Sequence, residues 1–182
     1  MLRKLALSLS FVLLGAGAAF AAGGHEGMQC TGCHNIHDAK GQLIFEVAPN
    51  TKAMPQGSVM PSKSISALCL GCHADADKGG MGIAPVSQHT SHPWGSVPNK
   101  KRANVPDILL RNGALDCVSC HDPHPSNTNY RYLRVDTAGG KKMANFCAAC
   151  HASKADKSAS GGIKFFSSMD EEAYYRPEAQ KK

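Results

Sequence analysis

The chain has few of the side chains that fill an ordinary hydrophobic core. Aromatic residues are 6% of its 182 residues, and tryptophan occurs once. Its apolar residues are concentrated in residues 5–22, and no second apolar run of membrane length follows. This composition argues against a large α/β enzyme and against a multi-pass membrane protein. It indicates that something other than side chains fills much of the interior.

The N-terminus has the pattern of an export signal. Arg3 and Lys4 precede the apolar stretch Leu5–Leu14, and Ala19-Phe20-Ala21 forms a small-residue cleavage site. An uncleaved membrane anchor is the alternative, but the segment is barely long enough to span a bilayer and ends in glycine and alanine. The pattern predicts removal of residues 1–21, a periplasmic or extracellular mature protein, and no integral membrane segment after removal of the signal.

All eight cysteines fall in four short motifs, and each motif ends in histidine. The motifs are Cys30-Thr31-Gly32-Cys33-His34, Cys69-Leu70-Gly71-Cys72-His73, Cys117-Val118-Ser119-Cys120-His121 and Cys147-Ala148-Ala149-Cys150-His151. Export would ordinarily suggest disulfides. A histidine directly after every pair instead matches the C-x-x-C-H signature of c-type haem attachment.

This chemistry explains the residue types and their spacing. Two thiols three residues apart can bond the two vinyl groups of one porphyrin, and the adjacent histidine then becomes the proximal iron ligand. Zinc ribbons and thioredoxin-like redox sites also use C-x-x-C, but zinc needs no histidine after each pair, and a redox motif would occur once. The sequence therefore predicts four covalent haems, with His34, His73, His121 and His151 as proximal ligands.

Five further histidines can supply the four sixth ligands. His37 and His124 each follow a proximal histidine by three residues, a tether of at most about 10–11 Å. Each should therefore bind the iron of a neighbouring haem rather than its own. His92 is chosen over His89 because Pro93 stiffens its turn. His25 is chosen because each repeat would then have one histidine before its first motif and one just after it, and His89 remains the alternative.

The chain contains two versions of one unit, residues 30–73 and 117–151. Each begins C-x-x-C-H-x-x-H and ends with a C-x-x-C-H. Leu43–Val47 and Tyr130–Val135 are predicted as short strands or extended clamps. One or two helical turns are predicted at Ile65–Leu68 and at Met143–Phe146, ahead of the second motifs. Residues 74–116 are predicted as a Pro/Gly-rich connection with at most a short helix near Ile108–Arg111.

This paired arrangement resembles the doubled C-x-x-C-H family of tetrahaem c-type cytochromes. The two C-x-x-C-H-x-x-H sites, their partner C-x-x-C-H sites and Ser91-His92-Pro93 carry the resemblance, within residues 25–152. It implies a multihaem cytochrome c fold with a haem-packed core, mostly irregular with short helices and few short strands. It also implies low-potential, bis-histidine haems in an exported electron carrier, and some relatives resemble subunits of extracellular cytochrome filaments. The unequal units depart from this pattern, as does the tail.

The expected organisation is a signal peptide at 1–21, a tetrahaem domain at 22–152 and a C-terminal tail at 153–182. The tail is interpreted as a mobile end with a few residues docked on the haem shell, or as an arm that packs on a partner. Formal net charge is +6, or +4 without Arg3 and Lys4. Haem propionates and ferric cores bring the oxidised holoprotein near neutrality, so no nucleic-acid partner is expected.

Three functions remain open on the sequence. The leading one is electron transfer between a donor and an acceptor protein through closely spaced haems, with no catalytic residue. The second is a structural role as a homo-oligomer, a filament subunit or part of a respiratory complex. The third is a multihaem reductase, which needs an iron with an open position, whereas the spare histidines are numerous enough to close every iron.

Overall fold

The computed structural model describes residues 24–40, 43–54, 58, 64–88, 94–160 and 162–168. The predicted signal peptide, His89 and His92 lie outside the described residues. Four short α-helices are described: α1 (Ile65–His73), α2 (Cys117–Cys120), α3 (Met143–His151) and α4 (Lys157–Ser160). Single 3-10 turns occur between them, at Glu26–Met28, Cys30–Gly32, Ala76–Lys78, Val86–Gln88, Asp107–Leu109, Tyr130–Tyr132 and Ala152–Lys154. The described chain is thus mostly irregular, as predicted.

Helix α1 carries the second motif. The hydroxyl of Ser64 caps its first turn by accepting a hydrogen bond from the backbone N–H of Ala67, and the helix ends at His73. Leu68 and Leu70 are fully buried. A Cβ at Gly71 would clash with the side chain of Val47, so glycine in this motif lets the first unit's chain cross close to the helix. The helical turn predicted at Ile65–Leu68 is confirmed and continues through the motif.

Helix α2 carries the third motif and packs against α1. It is a single turn held by a capping box, in which Asp116 accepts from the helix backbone and Ser119 accepts from the N–H of Asp116. Ser66 of α1 donates its hydroxyl to the buried Asp116 carboxylate at 2.5 Å. Apolar side chains and this polar contact therefore join the two paired units at their centre.

Helix α3 carries the fourth motif, and the helical turn predicted at Met143–Phe146 is confirmed as its start. The chain then returns to the second unit. The backbone N–H of Phe166 donates to the carbonyl of the buried Arg134, whose guanidinium donates in turn to the Phe166 carbonyl. Ser168 donates to the carboxylate of Asp122. The described part of the C-terminal tail is therefore docked, and residues 169–182 lie outside the described residues.

A small antiparallel hairpin lies in the connection between the units. Strand β1 (Leu110–Arg111) pairs with β2 (Ala114–Leu115) across Asn112 and Gly113, which both have positive φ, 52° and 76°. Two positive-φ residues are the mark of a type I′ turn, for which Asn-Gly is the preferred sequence. The helix predicted near Ile108–Arg111 is therefore wrong in its position. A 3-10 turn ends at Leu109, and the following residues form a strand because the Asn-Gly turn pairs them with β2.

The two segments predicted as strands or clamps each make one β-bridge. Phe45 bridges His34, and Leu133 bridges His121. Regular strands do not form there in the described chain: Leu43 and Ile44 have positive φ, and Tyr130–Tyr132 is a 3-10 turn. Each segment lies against a proximal histidine through its single bridge, as a clamp would, but neither is extended as predicted. Among the described residues, no helix is long and apolar enough to cross a membrane.

Candidate haem sites

The four proximal histidines share one local arrangement. In each, Nδ1 lies within hydrogen-bonding distance of a backbone carbonyl oxygen from elsewhere in the chain. The distances are 3.0 Å from His34 to Leu43, 2.6 Å from His73 to Ile83, 2.9 Å from His121 to Arg131 and 3.1 Å from His151 to Arg102. A carbonyl oxygen can only accept, so Nδ1 must carry the proton. Each Nε2 is therefore left with a lone pair that can bind a metal ion.

His124 of the second unit lies opposite His34 of the first. Their ring centres are 6.5 Å apart, and their planes differ by 8°. A metal–nitrogen bond is about 2 Å long and a ring centre lies about 1 Å further on, so two imidazoles on one iron have centres about 6 Å apart. The pair therefore has the spacing of two ligands on opposite sides of one iron.

His25 lies opposite His73 in a similar way. The ring centres are 5.8 Å apart, with an interplanar angle of 56°. Residues of the second unit hold His25 in place: its backbone N–H donates to the Tyr132 hydroxyl at 2.9 Å, and its ring stacks on Tyr132. Its Nδ1 lies 3.3 Å from the carbonyl oxygen of Pro123. Burial, with a smaller contribution from His73, lowers the pKa of His25, which favours the neutral form that a metal requires.

The support of His124 differs from that of the other paired histidines. Its Nδ1 lies 2.8 Å from Oδ1 of Asp122 and 2.8 Å from the hydroxyl of Ser168. Burial alone would raise the pKa of Asp122, but hydrogen bonds from His124 and Ser168 outweigh it and lower the pKa to about 2. Asp122 is therefore an ionised carboxylate. A carboxylate can only accept a hydrogen bond, so Nδ1 of His124 carries the proton and Nε2 has the lone pair that a metal ion requires.

Comparison with known families decides what these motifs are. The doubled CXXCH motif family matches residues 23–78 and again residues 110–156, which is more than half of the chain. The chain belongs to the doubled CXXCH family. The two matched regions contain the two paired units, and the motifs are those of a multihaem c-type cytochrome that binds haem c covalently. No curated protein and no solved structure matches the chain.

Apolar surface beside the motifs fits the family's cofactor. Ile83, whose carbonyl supports His73, is 54% exposed, and Met81 is 62% exposed with its sulfur 3.7 Å from that of Cys72. Leu43, whose carbonyl supports His34, is 44% exposed. A porphyrin held at these motifs would cover such side chains and supply the apolar contacts that the small buried core lacks. When bound, the haem supplies one-electron redox chemistry.

The attachment cysteines of different motifs lie next to one another. Interaction between the side chains of Cys69 and Cys117 raises the pKa of Cys69 and lowers the pKa of Cys117. Burial and then a charge on Cys33 raise the pKa of Cys72. Burial, followed by charges on Cys150 and Cys117, raises the pKa of Cys120 to about 11. The first site therefore neighbours the second, the second neighbours the third and the third neighbours the fourth.

Of the two remaining predicted ligands, His37 lies within the described residues and His92 does not. His37 is exposed, its backbone N–H bonds to the side chain of Asn35, and it has no ring contact with another histidine within the described residues. His92 lies outside the described residues, as does its alternative His89. Asp122, Tyr132 and Ser168 support His124 and His25 but were not predicted from the sequence. Asp122 was visible between His121 and His124, but Ser168 carried no sequence signal because it reaches His124 only through the returning tail.

Proposed function

We propose that the protein is an exported tetrahaem c-type cytochrome that carries electrons between two redox partner proteins. Each of the four C-x-x-C-H motifs holds one covalent haem, and all four irons are closed by two histidines. The observation that carries this proposal is the pairing of His34 with His124 at 6.5 Å between ring centres. It supports an iron ligated from both faces. Two nitrogen ligands with no open position suit one-electron exchange and leave no position for a substrate.

The ligand sets follow from the ring pairs. The iron of the haem on Cys30 and Cys33 would be held by His34 and His124. The iron of the haem on Cys69 and Cys72 would be held by His73 and His25. His37 and His92 remain the proposed sixth ligands of the irons carried by His121 and His151, with His89 as the alternative to His92. With every iron closed, the protein acts as a carrier and not as an enzyme.

The neighbouring cysteines support a row of haems in sequence order. Cys33 affects the pKa of Cys72, Cys117 that of Cys69, and Cys150 that of Cys120, so cysteines of successive motifs lie within range of electrostatic interaction. A thioether attaches a cysteine to the edge of its porphyrin, so neighbouring cysteines bring porphyrin edges together. An electron entering at one end can then move along the row in short steps. The two ends of the row, at the first and fourth motifs, are the expected contact points for donor and acceptor.

Mass and spectra of the purified holoprotein test the proposal. The protein should be exported with residues 1–21 removed and should carry four covalent haems by mass spectrometry. Its oxidised form should show only low-spin ferric iron by electron paramagnetic resonance. Fewer than four haems would contradict the tetrahaem assignment, and a high-spin iron in the wild-type protein would favour the reductase instead. Light scattering would separate a monomeric carrier from a homo-oligomer or filament subunit.

A further inference from the structure

The carboxylate of Asp122 lies beneath the ring of His124. Asp122 is 2% exposed, and its Oδ1 lies 2.8 Å from Nδ1 of His124. The backbone N–H and the hydroxyl of Ser168 also donate to this carboxylate, at 2.8 and 2.9 Å. The acid is thus held by the docked C-terminal segment on one side and by His124 on the other. Its charge faces Nδ1 of His124, whereas Nε2 is the nitrogen that would bind iron.

A carboxylate partner distinguishes His124 from five other histidines. The Nδ1 atoms of His25, His34, His73, His121 and His151 all face neutral backbone carbonyls. A carbonyl offers a dipole, whereas a carboxylate offers a full negative charge and a stronger, charge-assisted hydrogen bond. A partner of this kind raises the basicity of the histidine as a metal ligand. His124 should therefore donate more electron density to its iron than the carbonyl-supported histidines do.

The first unit provides an internal comparison. The residue that matches Asp122 is Asn35, which also follows a proximal histidine directly. The side-chain oxygen of Asn35 accepts from the backbone N–H groups of His37 and Asp38, and its amide donates to Glu46. The first unit thus has a neutral residue, occupied in local turn bonds, where the second has a buried charge. The two repeats differ in chemistry at this position although their motifs are the same.

We propose that Asp122, acting through His124, lowers the reduction potential of the haem carried by Cys30 and Cys33. This inference rests on the proposed function, in which His124 is the sixth ligand of that iron. One electron from an external donor converts the iron from ferric to ferrous, and the Nδ1 proton stays between His124 and Asp122 throughout. The buried negative charge favours the ferric state, which carries one more positive charge. Because this haem lies at one end of the row and electrons move toward higher potential, Asp122 gives the row a direction.

Redox titration of the holoprotein with dithionite tests the inference. Asp122→Asn should keep four low-spin haems and raise one midpoint potential of the four. A tenfold change in the relative affinity of His124 for the two iron states corresponds to about 59 mV for one electron. The shift should disappear in a Cys30→Ala/Cys33→Ala background, which lacks the haem in question. Asp116→Asn removes another buried carboxylate, one bonded to Ser66, and should leave this potential unchanged.

A second variant should shift the same midpoint potential in the opposite direction. In Ser168→Ala the Asp122 carboxylate remains but no longer accepts a hydrogen bond from the Ser168 hydroxyl. Less of its negative charge is then offset, and His124 faces a stronger negative charge. The same midpoint potential should fall. If the variants only loosened the chain around Asp122, both would shift the midpoint potential in the same direction. That outcome would overturn the inference, as would unchanged potentials in Asp122→Asn. Either result in a protein with four low-spin haems would leave the proposed function intact, whereas missing haems in the wild type would contradict the function itself.

Discussion

The hydroxyl of Ser66 donates a hydrogen bond to the buried carboxylate of Asp116 at 2.5 Å, and this contact joins the two repeats. Ser66 lies one turn before Cys69, the first cysteine of the second motif, and Asp116 directly precedes Cys117, the first cysteine of the third motif. The two units therefore meet through the starts of α1 and α2, as the proposed row of haems requires.

Removing the haem at the third site should destabilise the whole protein. In Cys117→Ala/Cys120→Ala, mass spectrometry should show three haems, and the thermal unfolding midpoint should fall strongly. The expected loss is more than about 4 kcal/mol, because a core element is removed from between two neighbours. The matched control is Cys147→Ala/Cys150→Ala at the end of the row. It should also lose one haem but reduce the midpoint less, and equal losses would contradict the sequence-order row.

Replacing His124 should change the haem of the first motif, not that of its own. In His124→Ala one ferric iron should become high-spin, seen by electron paramagnetic resonance, because the iron facing His34 loses its sixth ligand. Adding His124→Ala to a Cys30→Ala/Cys33→Ala background should produce no new high-spin iron. Adding it to a Cys117→Ala/Cys120→Ala background should still produce one. The reverse pattern would place His124 on the haem of its own motif.

Replacing His25 should change the haem of the second motif. In His25→Ala the iron facing His73 should become high-spin, whereas the other three remain low-spin. Tyr132→Phe is the control, since it removes the hydroxyl that bonds the backbone N–H of His25 but keeps the ring on which His25 stacks. It should cost about 1 kcal/mol in unfolding free energy and leave all irons low-spin. A fully low-spin His25→Ala protein would instead leave this iron to His89.

The hydroxyl of Ser66 should contribute measurably to stability. Ser66→Ala removes the hydroxyl that donates to the buried Asp116 carboxylate at 2.5 Å and leaves the backbone N–H of Cys117 as a donor to the same oxygen. The expected cost is about 1–3 kcal/mol, measured as a lower unfolding midpoint in guanidinium. Ser87→Ala is the matched control. The Ser87 hydroxyl donates to Asp75 at the surface, so its loss should change stability by less than about 0.5 kcal/mol. Similar costs for both serines would show that burial of the central contact is unimportant.

The sequence alone determined the features that depend on short stretches of chain. Cys30, Cys33 and His34 belong to one site because two thiols and an iron ligand must reach one porphyrin, and that requirement is local. The family, the two paired units and the helical starts of α1 and α3 followed from the same local patterns. The hairpin at Asn112 and Gly113 was also within reach, because Asn-Gly favours a turn with two positive φ angles, but the sequence was interpreted there as a loop with at most a short helix near Ile108–Arg111.

The tertiary structure decided which histidines face one another. His124 meets His34, and His25 meets His73, because the second unit folds against the first through α1 and α2. Hydrogen bonds from residues distant in sequence then fix each ring: the carbonyl of Arg102 supports His151, and Ser168 completes the support of His124. No local sequence pattern predicts such contacts, because they depend on how the whole chain packs. The sequence therefore specified the haem chemistry, whereas the packing of the two units specified the histidine pairs and the charge beside His124.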